Sequence, residues 1–424
     1  MSFPRILIAG GGIGGLALAQ GLKRHNIPFT VFEKDLSPNA RAQGYRIRIA
    51  ANGAVALHDC LSEEHWSLFE RTCANVEPGL ARLNALDAMK LPGPGMPDTG
   101  SGAGAEAGLG PSQQAHAQLV WGKAGLKSDP HVKPVYAVEG ETLRSLFMLG
   151  LEDHIKYGRS FVKHETTEKG VKAFFSDGII EEGALLVGAE GVASAVRKQF
   201  LPECRYVDTG TRCLYGKTPL TDDFMARFTP MALSGMGVMK NTNKPGVFLE
   251  AMRFPYDASN ESKGKLAKVN DYMYWVLGGK AEDIGLDDSQ FHGLSGEAAA
   301  ALTAELTKDW HPSTRCLFEQ QDVSQCAPLR LVSARPARPN SKSSASVTLL
   351  GDAAHAMMPA GGSGANTALA DAALLLELII QEGISDSMLT KYVNGMCKYA
   401  LPAIEGSVAG AEKLLGFKGV EGAR

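Results

Sequence analysis

Charge of one sign is missing from this chain. Its 43 Lys and Arg against 46 Asp and Glu leave a formal net charge of -3, so there is neither a basic field to gather a polyanion nor an acidic tail, and nucleic acid is not an expected partner. Long apolar runs are missing as well. The most apolar stretch, 368–380, is interrupted by Asp371 and Glu377, short of the ~20 apolar residues of a membrane span. Paired cysteines are also lacking. The seven cysteines (60, 73, 204, 213, 316, 326 and 397) include no C-x-x-C and make an odd total, which argues for reduced thiols rather than a disulfide frame or a zinc site. No metal is therefore expected. Arg5 alone precedes a five-residue apolar run that stops at Gly10, unlike a signal peptide, and the default expectation is a cytoplasmic protein.

What is present is ordinary for a globular chain, 44% hydrophobic and 21% charged over 424 residues. That length exceeds what one hydrophobic core usually organises, so two closely joined domains are expected. Short continuous apolar runs at Arg5–Ala9, Leu185–Val187 and Val347–Leu350 suit strands buried on both faces of a parallel sheet. Ile13 to His25 has helical spacing and is broken by Pro28, and Phe29–Phe32 reads as a strand, completing a βαβ unit. Helices are predicted over 142–150, 296–310 and 367–381. The material between 205 and 280 reads mostly as strand, as in Gly246–Glu250 and Tyr272–Leu277. Val171–Phe175 before Ser176-Asp177-Gly178 reads as an antiparallel hairpin. The stretch 92–111, rich in Gly, Pro, Ala and Ser, reads as a mobile surface insertion.

Gly10-x-Gly12-x-x-Gly15 sits at the junction of the first strand and helix. The first glycine permits the turn, the second lets backbone approach a pyrophosphate, and the third lets the helix pack on the sheet. The phosphates are then expected at the helix N-terminus, beside Ile13 and Gly14. Glu33, eighteen positions after Gly15 and followed by Lys34, ends the second strand, where a carboxylate accepts from a ribose hydroxyl. This unit by itself leaves FAD and NAD both open.

The segment from Leu349 to Asn366 narrows the choice. A buried strand delivers Asp352 to its end, where it can accept from a ribityl hydroxyl. Pro359 stiffens the turn, and Gly361, Gly362 and Gly364 let amides approach an oxygen-rich ligand face. The helix beginning near Ala365 or Asn366 adds a dipole favouring negative charge. The fixed positions G-D-A-x-H-x-x-x-P-x-x-G-x-G-x-N are all present, and the segment resembles the second FAD-binding motif of the group A, para-hydroxybenzoate-hydroxylase-like flavoprotein monooxygenases. Gly188 to Arg197 resembles that family's middle motif, D-G-x-x-S-x-x-R, through Gly191, Ser194 and Arg197, with Glu190 where the family has Asp. The resemblance spans roughly residues 3–380, and Gly44-Tyr45-Arg46-Ile47-Arg48-Ile49 places it nearest a microbial branch.

The resemblance implies that Arg46 and Arg48, which share one face of a strand, and Arg41 lie near the FAD phosphates; a solvated strand face is the other reading. Relatives carry a further arginine where this chain has Gly140, and Arg144 is the candidate to replace it. His355 is expected to order the loop around Asp352. Tyr215, Met252, Tyr272, Trp275, Met357, Met358 and Pro359 are candidates to line an apolar substrate cavity.

The fold expected is α/β with an α+β insertion: a Rossmann-like FAD domain in three pieces (1–75, 138–200, 325–382), a mostly antiparallel substrate domain (76–137, 201–324) and a helical segment (383–424). The resemblance implies FAD as cofactor, NADPH or NADH as transient co-substrate, and transfer of one oxygen atom from O2 through a flavin C4a-hydroperoxide to a small, largely apolar organic substrate by hydroxylation or epoxidation, with secondary metabolism as setting. An FAD-dependent reductase or desaturase on the same fold is the alternative. The halogenase signature W-x-W-x-I-P is not in the sequence. The oligomeric state is not legible.

Overall fold

A computed structural model describes residues 4–38, 40, 45–91, 132–241, 245–335 and 346–415. Arg41, Gly44 and the 92–111 stretch lie outside these residues. The strands run β1 (Ile6–Ala9), β2 (Phe29–Phe32), β3 (Arg46–Ala50), β4 (Leu80–Asn84), β5 (Val135–Glu139) and β6 (Ile155–Lys156). They continue with β7 (Phe161–Thr167), β8 (Gly170–Phe175), β9 (Ile180–Gly183), β10 (Leu185–Gly188) and β11 (Tyr206–Pro219). The remaining strands are β12 (Met236–Lys240), β13 (Gly246–Met252), β14 (Tyr272–Lys280), β15 (Ala327–Ala334) and β16 (Val347–Leu349).

A five-stranded sheet has the order β16-β10-β1-β2-β6, and every neighbouring pair in it is parallel. Its strands come from three separated stretches of chain. All four residues of β1 and of β10 are buried, as strands covered on both faces require. Ile6 and Ile8 face a core with helices Ile13–Arg24, Gly364–Glu382 and Asp386–Leu415. Leu7 and Ala9 face Phe161, Val171 and Phe175 of the small β7-β8-β9 sheet.

The second large sheet has the order β15-β11-β14-β13-β12-β4. It is antiparallel except for the β12–β4 pair. Residues 327–334, placed in the FAD domain by sequence, form its edge strand on β11. Residues 135–137, placed in the substrate domain, instead pair with β3 in a two-stranded ribbon. That ribbon lies between the two large sheets.

Gly364–Glu382 is long and apolar enough to cross a membrane by length and composition, but 61% of its most apolar window is buried inside the protein. Leu369, Ala372, Leu375, Leu376 and Ile379 belong to the helix-side core of the parallel sheet. It is a core helix. The Asp386–Leu415 helix runs through Pro402 without a break. Proline removes one i to i-4 hydrogen bond there, and packing on both sides holds the helix together.

Candidate cofactor and substrate site

The glycine turn after β1 is built by close approach. Gly10 has φ +109°, and a Cβ there would press on the Ala189 backbone and come 2.8 Å from the Glu190 amide. A Cβ on Gly14 would come 2.7 Å from Leu350 Cδ1. Gly12 differs: it is exposed, and the nearest neighbour to a Cβ would be the Ala189 carbonyl oxygen at 3.9 Å. It is also the N-cap of the Ile13–Arg24 helix, with no side chain capping the first amides. Uncapped N–H groups facing open space suit an anion.

Glu33 is buried and accepts from the Gly11 amide at 2.8 Å and the Asp35 amide at 3.0 Å. A carboxylate has about four acceptor positions, so each oxygen keeps one for a ligand hydroxyl. Arg144, also buried, donates from Nε to the Gly11 carbonyl at 3.0 Å and from Nη1 to the Pro38 carbonyl at 2.6 Å. Its Nη2 lies 4.0 Å from Glu33. Arg144 thus braces the turn from behind. Lys34 is exposed and Ile13 half-buried at the same edge.

The second glycine segment follows β16. Gly351 has φ +59°, and Asp352 opens a short helix, Asp352–His355. Asp352 keeps access to solvent, while neighbouring groups desolvate its carboxyl. Burial pushes its carboxyl up from the ordinary value; His355 pulls it down and Asp371 pushes it up again. A Cβ on Gly364 would lie 3.9 Å from Asp352 Oδ1, and one on Gly362 would meet nothing within 4 Å. The Gly364–Glu382 helix also starts without a side-chain cap.

Beneath this segment lies a hub that sequence reasoning missed. Asp371, wholly buried, accepts from the Gly351 amide at 2.7 Å, His355 Nε2 at 2.6 Å and Tyr399 Oη at 2.8 Å. His355 therefore orders the loop, through Asp371. The signal was available: a lone carboxylate on an otherwise apolar helix face needs partners. Asn366 is spent on structure. Its Oδ1 accepts from the Ala50 amide at 2.8 Å, and its Nδ2 donates to the Arg48 and Gly362 carbonyls at 3.0 and 2.9 Å. It ties β3 to the glycine loop, leaving its backbone, with that of Ala365, for a ligand. Pro359 is exposed, Met357 half-buried and Met358 buried under the loop.

Glu190, the departure from the family pattern, folds back. It accepts from the Ser194 hydroxyl at 2.5 Å and from the Ala195 and Val196 amides at 3.1 and 3.0 Å, capping the Ala195–Phe200 helix. Burial raises its pKa against the pull of those donors. Gly191 makes the turn between them with φ +73°. Arg197 lies 3.7 Å above the Tyr206 ring, and Tyr206 Oη donates to the Asp352 carbonyl at 2.8 Å. The middle motif is thus coupled to Asp352 by a tyrosine outside every motif.

Arg46 and Arg48 do share one face, but both pair with Glu250 of β13, Arg46 at 2.6 Å. Arg46 also sits over the rings of Phe248 and Tyr274, at 5.1 and 5.7 Å. The structure therefore places both arginines against the six-stranded sheet and overturns the solvated-face reading. Side chains alternate along a strand, and this splits the substrate candidates. Tyr215, Met252 and Tyr272 lie on the face toward the β3–β5 ribbon, with Phe248 and Tyr274. Trp275 lies on the other face, fully buried among Leu214, Leu249 and Phe318 with Nε1 bonded to Thr218 at 3.1 Å. Trp275 is core, whereas its neighbour Tyr274 lies on the face toward the β3–β5 ribbon.

Two uncapped helix N-termini, open space over Gly12 and Gly362, and carboxylates at Glu33 and Asp352 fit a dinucleotide with a polyol arm. FAD matches that donor and acceptor set. Comparison agrees. The FAD binding domain family matches residues 296–395, and the NAD(P)-binding Rossmann-like domain family matches residues 8–72. A dual O-methyltransferase/FAD-dependent monooxygenase of Phaeosphaeria nodorum is 38% identical over 399 residues, covering 87% of this chain and 39% of that one. The chain spans less than half the length of the dual-function fungal relatives it matches. A crystal structure described as a FAD-containing monooxygenase, from Photorhabdus luminescens, is similar with a TM-score of 0.74 and 28% identity, covering 98% of this chain and 100% of that one. The Klebsiella pneumoniae HpxO structure, complexed with FAD and uric acid, shares the fold at a TM-score of 0.71 and 17% identity, covering 98% and 89%.

Proposed function

We propose that this chain is a para-hydroxybenzoate-hydroxylase-like FAD-dependent monooxygenase, a reading supported by its FAD-binding and Rossmann-like domains and by the relatives it resembles, and that it inserts one oxygen atom of O2 into a small, largely apolar ring substrate at the expense of NADPH or NADH. The balanced step is R–H + O2 + NAD(P)H + H⁺ giving R–OH + NAD(P)⁺ + H2O. Bound FAD supplies the two-electron and O2 chemistry.

The observation that carries the substrate side of this reading is the aromatic face of the six-stranded sheet. Tyr215, Phe248, Met252, Tyr272 and Tyr274 turn together toward the cofactor domain. Aromatic walls exclude water, stack on a planar ring and keep reactive species from solvent. The largely buried Lys217–Glu139 pair at 2.6 Å, with Lys217 4.7 Å from the Tyr272 ring, adds charge beside this face. Hydroxylation is favoured over epoxidation because the fungal relatives carry O-methyltransferase activity in the same chain, and a new hydroxyl is what such an activity takes.

Among the described residues the Tyr272 hydroxyl is buried without a hydrogen-bond partner. Such a group costs about 1–3 kcal/mol, which a substrate oxygen placed against it recovers. Tyr272→Phe is therefore expected to raise KM for an oxygenated ring about tenfold while thermal stability holds or rises. An unchanged KM in steady-state assays would remove Tyr272 from substrate recognition.

The function itself is tested on the purified yellow protein by following NAD(P)H oxidation and O2 uptake together, with catalase present, across a panel of phenolic and polycyclic substrates. One-to-one consumption with an ¹⁸O atom appearing in product is expected. Substrate-dependent NAD(P)H oxidation with no O2 uptake would replace this reading by a reductase.

A further inference from the structure

Three hydroxyls on the Asp386–Leu415 helix reach the segment that carries Asp352. Tyr392 Oη donates to the Leu349 carbonyl at the end of β16, at 3.0 Å. Tyr399 Oη donates to Asp371 at 2.8 Å, and Asp371 holds Gly351 and His355. Ser407 Oγ accepts from the Met358 amide at 3.2 Å. The three side chains are 0%, 3% and 0% exposed. Spacings of seven and eight residues bring them within about 80° of one another around the helix, along about 22 Å of its length.

The three contacts bracket the cofactor segment at its entry, its middle and its exit. Leu349 and Met358 flank an irregular stretch, where a backbone group lacks a ladder partner and must find another. Packing alone does not fix such a stretch along its own direction, whereas directed hydrogen bonds do. Further along the helix, a Cβ on Gly410 would come 3.3 Å from the Ala360 carbonyl oxygen, so the helix also closes on the glycine loop.

We infer that the Asp386–Leu415 helix sets FAD affinity, with Tyr392, Tyr399 and Ser407 as positioning residues that hold Asp352 and the glycine loop in register with the cofactor. This rests on FAD binding at the site described above, and a titration of the unaltered protein tests that point by itself.

The test compares Tyr392→Phe, Tyr399→Phe and Ser407→Ala with Met396→Ala, a packing substitution on the same helix whose side chain is buried in the helix-side core. Each hydroxyl variant removes one oxygen and keeps the side-chain volume nearly intact, and the Tm of its apo form shows whether it folds. FAD Kd is read from quenching of flavin fluorescence, and thermal stability is read on the apo and FAD-loaded forms. The hydroxyl variants are expected to raise Kd about tenfold and to shrink the FAD-induced rise in Tm, whereas Met396→Ala lowers Tm with Kd unchanged. Equal Kd across all four variants, or as large a rise in Met396→Ala, would overturn the inference and leave the hydroxyls a purely structural role.

Discussion

Asp371→Ala is expected to cost on the order of 3–5 kcal/mol of folding stability, as removal of one partner from a buried charged pair generally does. It strands the Gly351 amide, His355 and Tyr399 at once, and urea unfolding of the apo protein reads the loss. A milder exchange, Asp371→Asn, isolates the charge. Burial alone pulls the His355 pKa down, but the Asp371 charge and hydrogen bond outweigh it and raise the value above 6.5. A folded-state pKa above the unfolded one means that the folded protein binds the proton more tightly. This contribution is therefore complete below about pH 6.5 and is lost as pH rises through the folded value. The unaltered protein is expected to lose stability over that interval, and Asp371→Asn to show a flatter profile. Superimposable profiles would mean that another group carries the dependence.

The largest effect on binding is expected from Gly12→Asp, and it should leave the fold untouched. Gly12 has the extended backbone of an N-cap, φ -81° and ψ -177°, which aspartate adopts without strain. Aspartate is among the preferred N-cap residues, worth about 1 kcal/mol to a helix, so the apo protein should be as stable or slightly more so. The same carboxylate then occupies the opening meant for a pyrophosphate. Two unit charges ~5 Å apart repel by about 3 kcal/mol at an effective dielectric of ~20, more than roughly a hundredfold in Kd. A protein purified without yellow colour but with undiminished Tm is the expected result. Retention of FAD by that variant would place the phosphates elsewhere.

The parts that were legible in the sequence share a physical character. Strands buried on both faces announce themselves as apolar runs, and β1, β10 and β16 stand where those runs do. Glycines held by close approach, such as Gly10, leave spacing as their trace. What stayed hidden depended on facing. Trp275 and Tyr274 are adjacent and both buried, and only the register of β14 against β13 and β11 tells which one looks toward the β3–β5 ribbon. Partners far apart in sequence were equally invisible. Arg48 and Glu250 are 202 positions apart, and nothing local distinguishes a strand arginine bound for a phosphate from one bound for a carboxylate. Glu190 shows a third kind of blindness. In the sequence it stands only as Glu where the family has Asp, yet its longer arm turns back onto the Ala195 and Val196 amides.

The strand order of the parallel sheet also governs how the protein comes into being. β10 lies between β1 and β16, and β16 begins only at Val347, long after β10 ends at Gly188. At ~5–20 residues per second of translation, the β10 edge waits roughly 8–30 s on the ribosome for its neighbour. Throughout that interval every strand of the second sheet except β4 emerges beside an apolar strand with unpaired backbone, a template for mispairing. The second glycine segment, carried after β16, arrives later still. FAD can therefore be captured only once the segment that follows β16 has emerged, and until then the nascent protein depends on chaperone cover or on rapid closure of its second sheet.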